Sequence, residues 1–353
     1  MVTAGSDPDL VPLPEQPAGV PWPAADWPTG DLVSGVDSAA LERLFDYAFS
    51  QPDELPETNA ALVVHRGRIV RERYAEGMDE STTHVSWSMA KSMLHAVCGS
   101  LVAEGRLFLE GPAGVPAWSD PSDPRHAITL DQLLKMRDGL DFLEDYIDKS
   151  ADQANVIEML FGDGKQDVAG YVSRCRLAHG PGTHFAYSSG TSNIVSSLVG
   201  QLLGPGEPVE RFVRERLFEP IGMKSPSLRF DEAGTWIASS FVFATARDFA
   251  RFGLLYLRGG EWDGSRVLPE GWADYGRRMS DPAPDETFGY GAHWWVIPGS
   301  LGIFQANGYN GQRITIVPAL DLIVVRLGVT PIAHAPVLNG WMKDVVDAFR
   351  GSA

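Results

Sequence analysis

Val85-Ser86-Trp87-Ser88-Met89-Ala90-Lys91-Ser92 opens an apolar run in which Met93, Leu94, Ala96, Val97, Leu101 and Val102 follow. Their spacing, close to 3.6 residues, predicts a helix that buries one face. Gly105 stops it. Ser88 and Lys91 stand three residues apart, one turn up the same face, so the amine reaches the hydroxyl. A serine hydroxyl needs a base beside it to act as a nucleophile. Lysine serves only when neutral, and burial together with the positive end of a helix lowers its pKa. A Ser-x-x-Lys spacing is common by chance. Here, however, the lysine interrupts an otherwise apolar helix, where an unpaired charge is costly. The stretch points to catalysis by Ser88 with Lys91 as its base.

A chain of 353 residues is long enough for one large domain or two with a sizeable core. The net charge is -17 and only six of the basic residues are lysines, which argues against a nucleic acid or an anionic membrane surface as partner. Cys98 and Cys175 read as buried free thiols. No N-terminal segment joins a basic start to an apolar stretch, and no apolar run approaches membrane-spanning length, so a cytoplasmic protein is expected.

Residues 1–30, rich in Pro, Asp and Ala, form an irregular arm that is either loose or draped over the body. Asp37-Ser38 caps a helix through Leu41, Leu44, Phe45 and Ala48. Ala61–Val64 and Ile69–Tyr74 read as a hairpin about Arg66-Gly67. A helix starts at Ile128–Leu134 and ends by Gly139. Residues 141–186 carry acidic and aromatic side chains in polar surroundings, which suits loops and short helices over a pocket. Within them, residues 141–160 read as a lid: Phe142, Tyr146 and Ile147 form its apolar underside, and Glu144, Asp145, Asp148 and Asp152 its wet face. Helices follow at Thr191–Leu203, Glu210–Phe218 and Thr245–Leu257. Four β-rich segments come next, Gly291–Ile297, Ile303–Ala306, Arg313–Val317 and Leu322–Leu327, before a last helix at Val337–Phe349. The fold class is α+β: a mixed, largely antiparallel sheet built from both termini and flanked by helices, with a mainly helical lobe inserted. The boundaries are residues 31–80 and 286–353 for the sheet domain and 81–285 for the lobe.

No Gly-x-Ser-x-Gly elbow, His-Glu-x-x-His, Cys-x-x-Cys, phosphate loop or dinucleotide fingerprint is present. His84 and His95 flank Ser88 but read as structural.

The Ser88-x-x-Lys91 helix resembles the nucleophile helix of the serine β-lactamase and penicillin-binding-protein superfamily. Ile128–Leu134 is similar to the segment that follows that helix, and Phe185-Ala186-Tyr187-Ser188-Ser189 to the family's Tyr-x-Asn or Tyr-x-Ser motif. Leu217–Met223 and Thr245–Asp248 resemble segments of the class C and esterase branch. Gly308-Tyr309-Asn310-Gly311-Gln312 resembles the turn beside the active-site strand. Together these cover roughly residues 60 to 330, in the family's order. The nearest likeness is to the aminohexanoate-oligomer hydrolases and related carboxylesterases, through Asp141–Tyr146 and His293-Trp294-Trp295. Two departures stand out. Ala306-Asn307-Gly308 replaces Lys-Thr-Gly or His-Thr-Gly and offers no charge. Counting on from Tyr146 to the acidic residue that holds the substrate's amino end reaches Ile157 instead. Both favour a small neutral ester or amide.

The resemblance implies Ser88, Lys91 and Tyr187 as catalytic residues, Tyr187 being a partly ionised phenol that relays the proton. It implies an oxyanion hole from the backbone N–H groups of Ser88 and Tyr309. Tyr146, Ser189, Trp295, Ser239 and Asn310 are the substrate-binding candidates, with Ser189 limited to positioning. The activity implied is a serine hydrolase working through an acyl-enzyme on a small-molecule ester or amide, without metal or organic cofactor, and with a homodimer left open. The alternatives are a β-lactamase or D-alanyl-D-alanine carboxypeptidase, and a binding protein that has lost the chemistry.

Overall fold

The computed structural model, which describes residues 9–145, 154–280 and 288–352, turns the chain back on itself at Arg66 and Gly67. Their φ values of 50° and 75° are those of a two-residue hairpin loop whose twist matches the flanking strands. The strands so joined are β1 (Glu57–His65) and β2 (Arg68–Tyr74). After β3 (Thr83–Val85) the chain enters α2 (Met89–Ala103), which follows α1 (Ser38–Phe49). The helices α3 (Leu130–Leu134), α4 (Asn155–Phe161), α5 (Val168–Ser173), α6 (Ser189–Leu203) and α7 (Glu207–Val213) come next. Then come β4 (Ser227–Leu228), β5 (Val242–Thr245), α8 (Ala246–Leu257), the short pair β6 (Glu261–Trp262) and β7 (Ser265–Arg266), and α9 (Trp272–Arg277). The chain closes with β8 (Gly289–Tyr290), β9 (Trp295–Val296), β10 (Phe304–Gly308), β11 (Gln312–Val317), β12 (Leu322–Val329) and α10 (Ala335–Asp347).

The main sheet runs β2-β1-β12-β11-β10-β9-β8, and every pairing in it is antiparallel. The N-terminal hairpin thus docks on the last strand of the chain, which gives the α+β architecture with a sheet made from both ends. Alternation along β1 divides the core. Ala60, Leu62 and Val64 face the large core with α2 and α8, whereas Ala61 and Val63 face a smaller one under α1 and α10. The large core continues without a break into the lobe through Leu133, Val156, Met159, Val195 and Phe218.

Capping explains where the helices begin. Asp37 accepts from the Ala40 N–H, Thr129 and Gln132 form a reciprocal capping box, Ser188 caps α6 through Thr191, and Thr245 caps α8 through Asp248. From Val11 to Trp27 the N-terminal arm is draped over the body. Arg251 donates to the Pro23 carbonyl (2.7 Å), Arg277 to that of Val11 (2.7 Å), and Trp27 to that of Arg247 (3.0 Å).

Four expectations change. α2 buries twelve of its fifteen residues rather than one face, because it is enclosed between the sheet and the lobe. Gly291–Ile297 is strand only at β9 (Trp295–Val296), and β8 lies just before it at Gly289–Tyr290. His293 sits at φ 55°, its N–H donates to Leu134 O (2.9 Å), and Gly291 presses on Gly276 O, so the segment bends. Residues 141–186 supply core as well as cover: Phe142 is buried, and Val156, Met159 and Leu160 on α4 and Val168 and Val172 on α5 are buried at helical spacings that the intervening polar residues obscure. Cys98 is buried as expected, but Cys175 is only half-buried, and both are free. No helix among the described residues is long and apolar enough to cross a membrane.

Candidate active site

Ser86 is clamped to β5 from two sides. Its N–H donates to Val242 O (2.8 Å) and its hydroxyl accepts from the Val242 N–H (3.0 Å). Trp87 then takes φ 45°, a left-handed conformation that costs a bulky residue about 1–3 kcal/mol. Its ring is held between Phe241 (5.6 Å) and Tyr309 (5.5 Å), which offsets that strain. The sharp turn leaves Ser88 half-buried at the first turn of α2, with its hydroxyl toward Lys91.

Lys91 is 1% exposed, and its Nζ has three partners: Ser88 Oγ at 3.0 Å, Ser189 Oγ at 3.0 Å and the Ser239 carbonyl at 2.8 Å. Burial lowers its pKa to about 8, while the nearby Glu144 carboxylate acts in the opposite direction. Beneath it, His293 Nδ1 lies 3.0 Å from the Lys91 carbonyl oxygen, and the Ser92 hydroxyl donates to His293 O (2.7 Å). These contacts fix the turn of helix that carries the lysine. Burial, with the Lys91 charge, lowers the His293 pKa to about 3, so this imidazole is neutral.

Tyr187 lies with its ring centroid 4.9 Å from Lys91 Nζ and packs against Trp295 (5.2 Å) and Tyr290 (5.9 Å). Burial raises its phenol well above the usual tyrosine range and Glu144 adds to this; a hydrogen bond with Ser88 and the charge of Arg313 act the other way. The expected partly ionised phenol is therefore corrected: a desolvated hydroxyl beside a carboxylate keeps its proton at neutral pH. Arg313, on β11, donates to the carbonyls of Gly308 (3.2 Å) and Gln312 (3.0 Å). It brings to the neighbourhood a positive charge that Ala306-Asn307-Gly308 does not contain.

Gly308 ends β10 directly against the nucleophile turn. A Cβ at this position would fall 2.3 Å from the Ser86 carbonyl oxygen. Tyr309 follows with its ring on Trp87, so the segments carrying the Ser88 and Tyr309 N–H groups are neighbours. Asn310 adopts φ 57° and its carbonyl accepts from the Thr330 N–H (2.9 Å), which makes it a turn-forming residue.

One of the substrate-binding candidates, Ser239, enters the site differently from expectation. Ser239 is fully buried, its hydroxyl meets Ser240 (2.9 Å), and only its carbonyl addresses the lysine. Ser189 is also fully buried, between Lys91 and Glu144. Trp295 is half-buried on the same wall as Tyr187. Tyr146 lies outside the described residues. His95 bonds Tyr256 (2.7 Å) and stacks on Trp272 (4.7 Å), and His84 sits on β3 opposite Ala244; neither is hydrogen-bonded to Ser88.

Sequence reasoning missed Glu144 as a member of the site and placed it on a wet outer face. Its two carboxylate oxygens accept from the Ser189 hydroxyl (2.6 Å) and N–H (2.7 Å). Phe142, two residues earlier, packs so close to Gly190 that a Cβ there would fall 2.7 Å from its ring. Phe142 and Glu144 point the same way, as alternate residues of an extended segment do. That alternation, Phe-x-Glu, was the available signal.

The family model described as Beta-lactamase matches residues 56–332. A 6-aminohexanoate-dimer hydrolase of Paenarthrobacter ureafaciens is 26% identical over 291 residues, covering 78% of this chain and 73% of that protein. Among solved structures, a putative 6-aminohexanoate-dimer hydrolase from Bacillus anthracis superposes with a TM-score of 0.75 at 24% identity, covering 92% of this chain and 87% of that one. EstCE1, described as a hydrolase with promiscuous acyltransferase activity, gives 0.69 at 16% identity, covering 89% and 99%. These structures share the fold, and the match of the family model over residues 56–332 shows that the chain belongs to the beta-lactamase family of hydrolases.

Proposed function

We propose that the protein is a serine hydrolase that cleaves small carboxylic esters, and amides more slowly, through an acyl-enzyme on Ser88. The observation that carries this reading is a buried lysine of lowered pKa, 3.0 Å from the hydroxyl of a half-buried serine at a strained turn. Neutral Lys91 accepts the Ser88 proton as Oγ attacks the carbonyl carbon. The oxyanion forms at the backbone N–H groups of Ser88 and Tyr309. Tyr187, with its proton in place, donates it to the leaving oxygen or nitrogen and regains one from Lys91. Water then attacks the acyl-enzyme and gives its proton to the same pair, which passes it to Ser88 Oγ as the bond to the acyl group breaks and the acid leaves. Trp295 and Tyr290 wall the substrate side, and Ser189 and Ser239 hold the lysine. The related aminohexanoate-dimer hydrolase and the acyltransferase activity named for EstCE1 support an acyl-transfer reaction.

The test is hydrolysis of p-nitrophenyl acetate and butyrate by the wild type and Ser88→Ala. Loss of the nucleophile removes several orders of magnitude in rate. Equal turnover by both proteins overturns the reading, and leaves the binding-protein alternative. A second reading has one observation in its favour: the hydrogen bonds of Arg313 run to backbone carbonyls, so among the described residues no carboxylate is bonded to its cation, which suits a substrate that brings one. Fast nitrocefin hydrolysis, or a stable penicillin adduct on Ser88 by intact mass, selects a β-lactamase or D-alanyl-D-alanine carboxypeptidase.

A further inference from the structure

We infer that Glu144 is a positioning residue for Lys91: by holding the Ser189 proton it aims the lone pair of the neutral lysine at Ser88, and it stabilises the ammonium formed when that lone pair takes the Ser88 proton. This rests on the reading of Ser88 and Lys91 as nucleophile and base.

The argument is a count of protons. A neutral lysine amine has two N–H groups and one lone pair. Of its three neighbours, the Ser239 carbonyl (2.8 Å) can only accept. The Ser189 hydroxyl has one proton, and it is committed to Glu144 Oε1 at 2.6 Å; toward Lys91 (3.0 Å) it too can only accept. Both N–H groups are thereby used. The lone pair of the neutral amine is left for the third neighbour, Ser88 Oγ at 3.0 Å, and can accept the proton of that hydroxyl. Without Glu144, the Ser189 hydroxyl is free to donate to the lysine lone pair, and the base is quenched by its own support.

The carboxylate is held to this task at both ends. Its second oxygen accepts the N–H of Ser189, the first residue of the fifteen-residue α6, and Phe142 seats the same segment on Gly190. The helix end favours a negative charge there. Once the proton has moved, that charge lies two hydrogen bonds from the new ammonium, and charge-assisted bonds of this kind are the stronger ones. Among the described residues, the other titratable or charged groups facing the cluster are Tyr187 before α6, Tyr290 on β8, Arg313 on β11 and His293 beneath Lys91. Of these, Tyr187, Tyr290 and His293 are held neutral near pH 7 by burial; among the described residues the charge that acts on Lys91 is that of Glu144, while Arg313 acts on Tyr187.

The experiment measures the rate of Ser88 labelling by a fluorophosphonate probe from pH 5.5 to pH 10, in the full-length wild type, Glu144→Gln, Glu144→Asp and Ser189→Ala, with thermal unfolding of each. Two changes are expected for Glu144→Gln. Loss of the negative charge moves the midpoint of the rising limb down by about one pH unit. Loss of lone-pair orientation and of ammonium stabilisation lowers the high-pH plateau at least about tenfold. Glu144→Asp keeps the charge and therefore the limb. Ser189→Ala lowers the plateau with Glu144 intact, and this arm stands should Glu144→Gln fail to fold. A Glu144→Gln limb and plateau matching wild type overturn the inference. So does a uniform fall in rate with an unmoved limb, since that is what a merely structural residue gives. A wild type that is not labelled at any pH removes the reading of Ser88 beneath it, and is told apart by that result alone.

Discussion

Gly308→Ala is the sharpest probe of the frame around Ser88. Gly308 has φ -115° and ψ 156°, an extended backbone that alanine adopts freely, so the substitution adds one methyl group and no backbone strain. That methyl would sit 2.3 Å from the Ser86 carbonyl oxygen and 2.9 Å from Gln312 Cβ. A relaxed carbon–oxygen contact needs roughly 1 Å more. Neither neighbour yields easily. Ser86 is clamped to Val242 by two hydrogen bonds, and the Gln312 side chain donates to Gly328 O and accepts from the Gly328 N–H (3.1 Å). The end of β10 must back away from the nucleophile turn, taking the Tyr309 N–H with it. Overpacking of this kind costs about 1–3 kcal/mol, which for a chain this long is a fall of a few degrees in Tm. A displacement of about 1 Å in a catalytic frame, or loss of one oxyanion donor, costs about 100-fold in rate. The expected result with p-nitrophenyl butyrate is therefore kcat down about 100-fold, KM within about threefold, and Tm lower by a few degrees. Gly340→Ala is the control, because a Cβ there meets nothing within 4 Å. A Gly308→Ala enzyme with kcat within twofold of wild type would falsify the placement of the oxyanion at the end of β10.

Lys91→Met keeps the length of the side chain and removes the base. Activity should fall by about 1000-fold or more, while Tm moves by only a few degrees, because the lost bond to Ser239 is offset by ending the burial of an amine. Because Lys91 acts neutral and its pKa lies at about 8, kcat/KM for a neutral ester should rise about tenfold between pH 7 and pH 9 and level off above. A profile flat across that range removes Lys91 as the base. Tyr187→Phe should reduce anilide turnover far more than p-nitrophenyl ester turnover, since an amine leaves only with a proton and an activated phenol does not need one; equal losses on both substrates refute the donor role. Gly340→Ala, in the middle of α10, should raise stability by about 0.5–1 kcal/mol, read as a small increase in Tm with activity unchanged.

The elements that sequence reading located well are those whose cause is local. The apolar run Ala61–Val64, two positive φ values at Arg66-Gly67, and caps at Asp37, Thr129 and Thr245 all lie within a few residues of what they determine. Readings went astray where a distant contact overrode a local pattern. Gly291–Ile297 has the composition of one strand, but Leu134 draws off the His293 N–H and bends it. α2 looks amphipathic, yet it is buried on nearly every side because the sheet and the lobe both close on it.

The candidate site divides along the same line. Ser88 and Lys91 meet because a helix brings residues three apart onto one face, and any chain that makes this helix brings them together. Everything that gives the lysine its character comes from far away in the sequence: Ser189 is 98 residues on and Ser239 is 148. Ser239 reads from the sequence only as a substrate-binding candidate, whereas packing presents its carbonyl to the amine. Glu144 looked like one acid among several until Phe142 docked on Gly190 and carried it inward to Ser189. Helical spacing is a property of the covalent chain. The direction in which a carbonyl or a carboxylate points is set by the side chains packed around it, and those are chosen only when the lobe closes on the sheet.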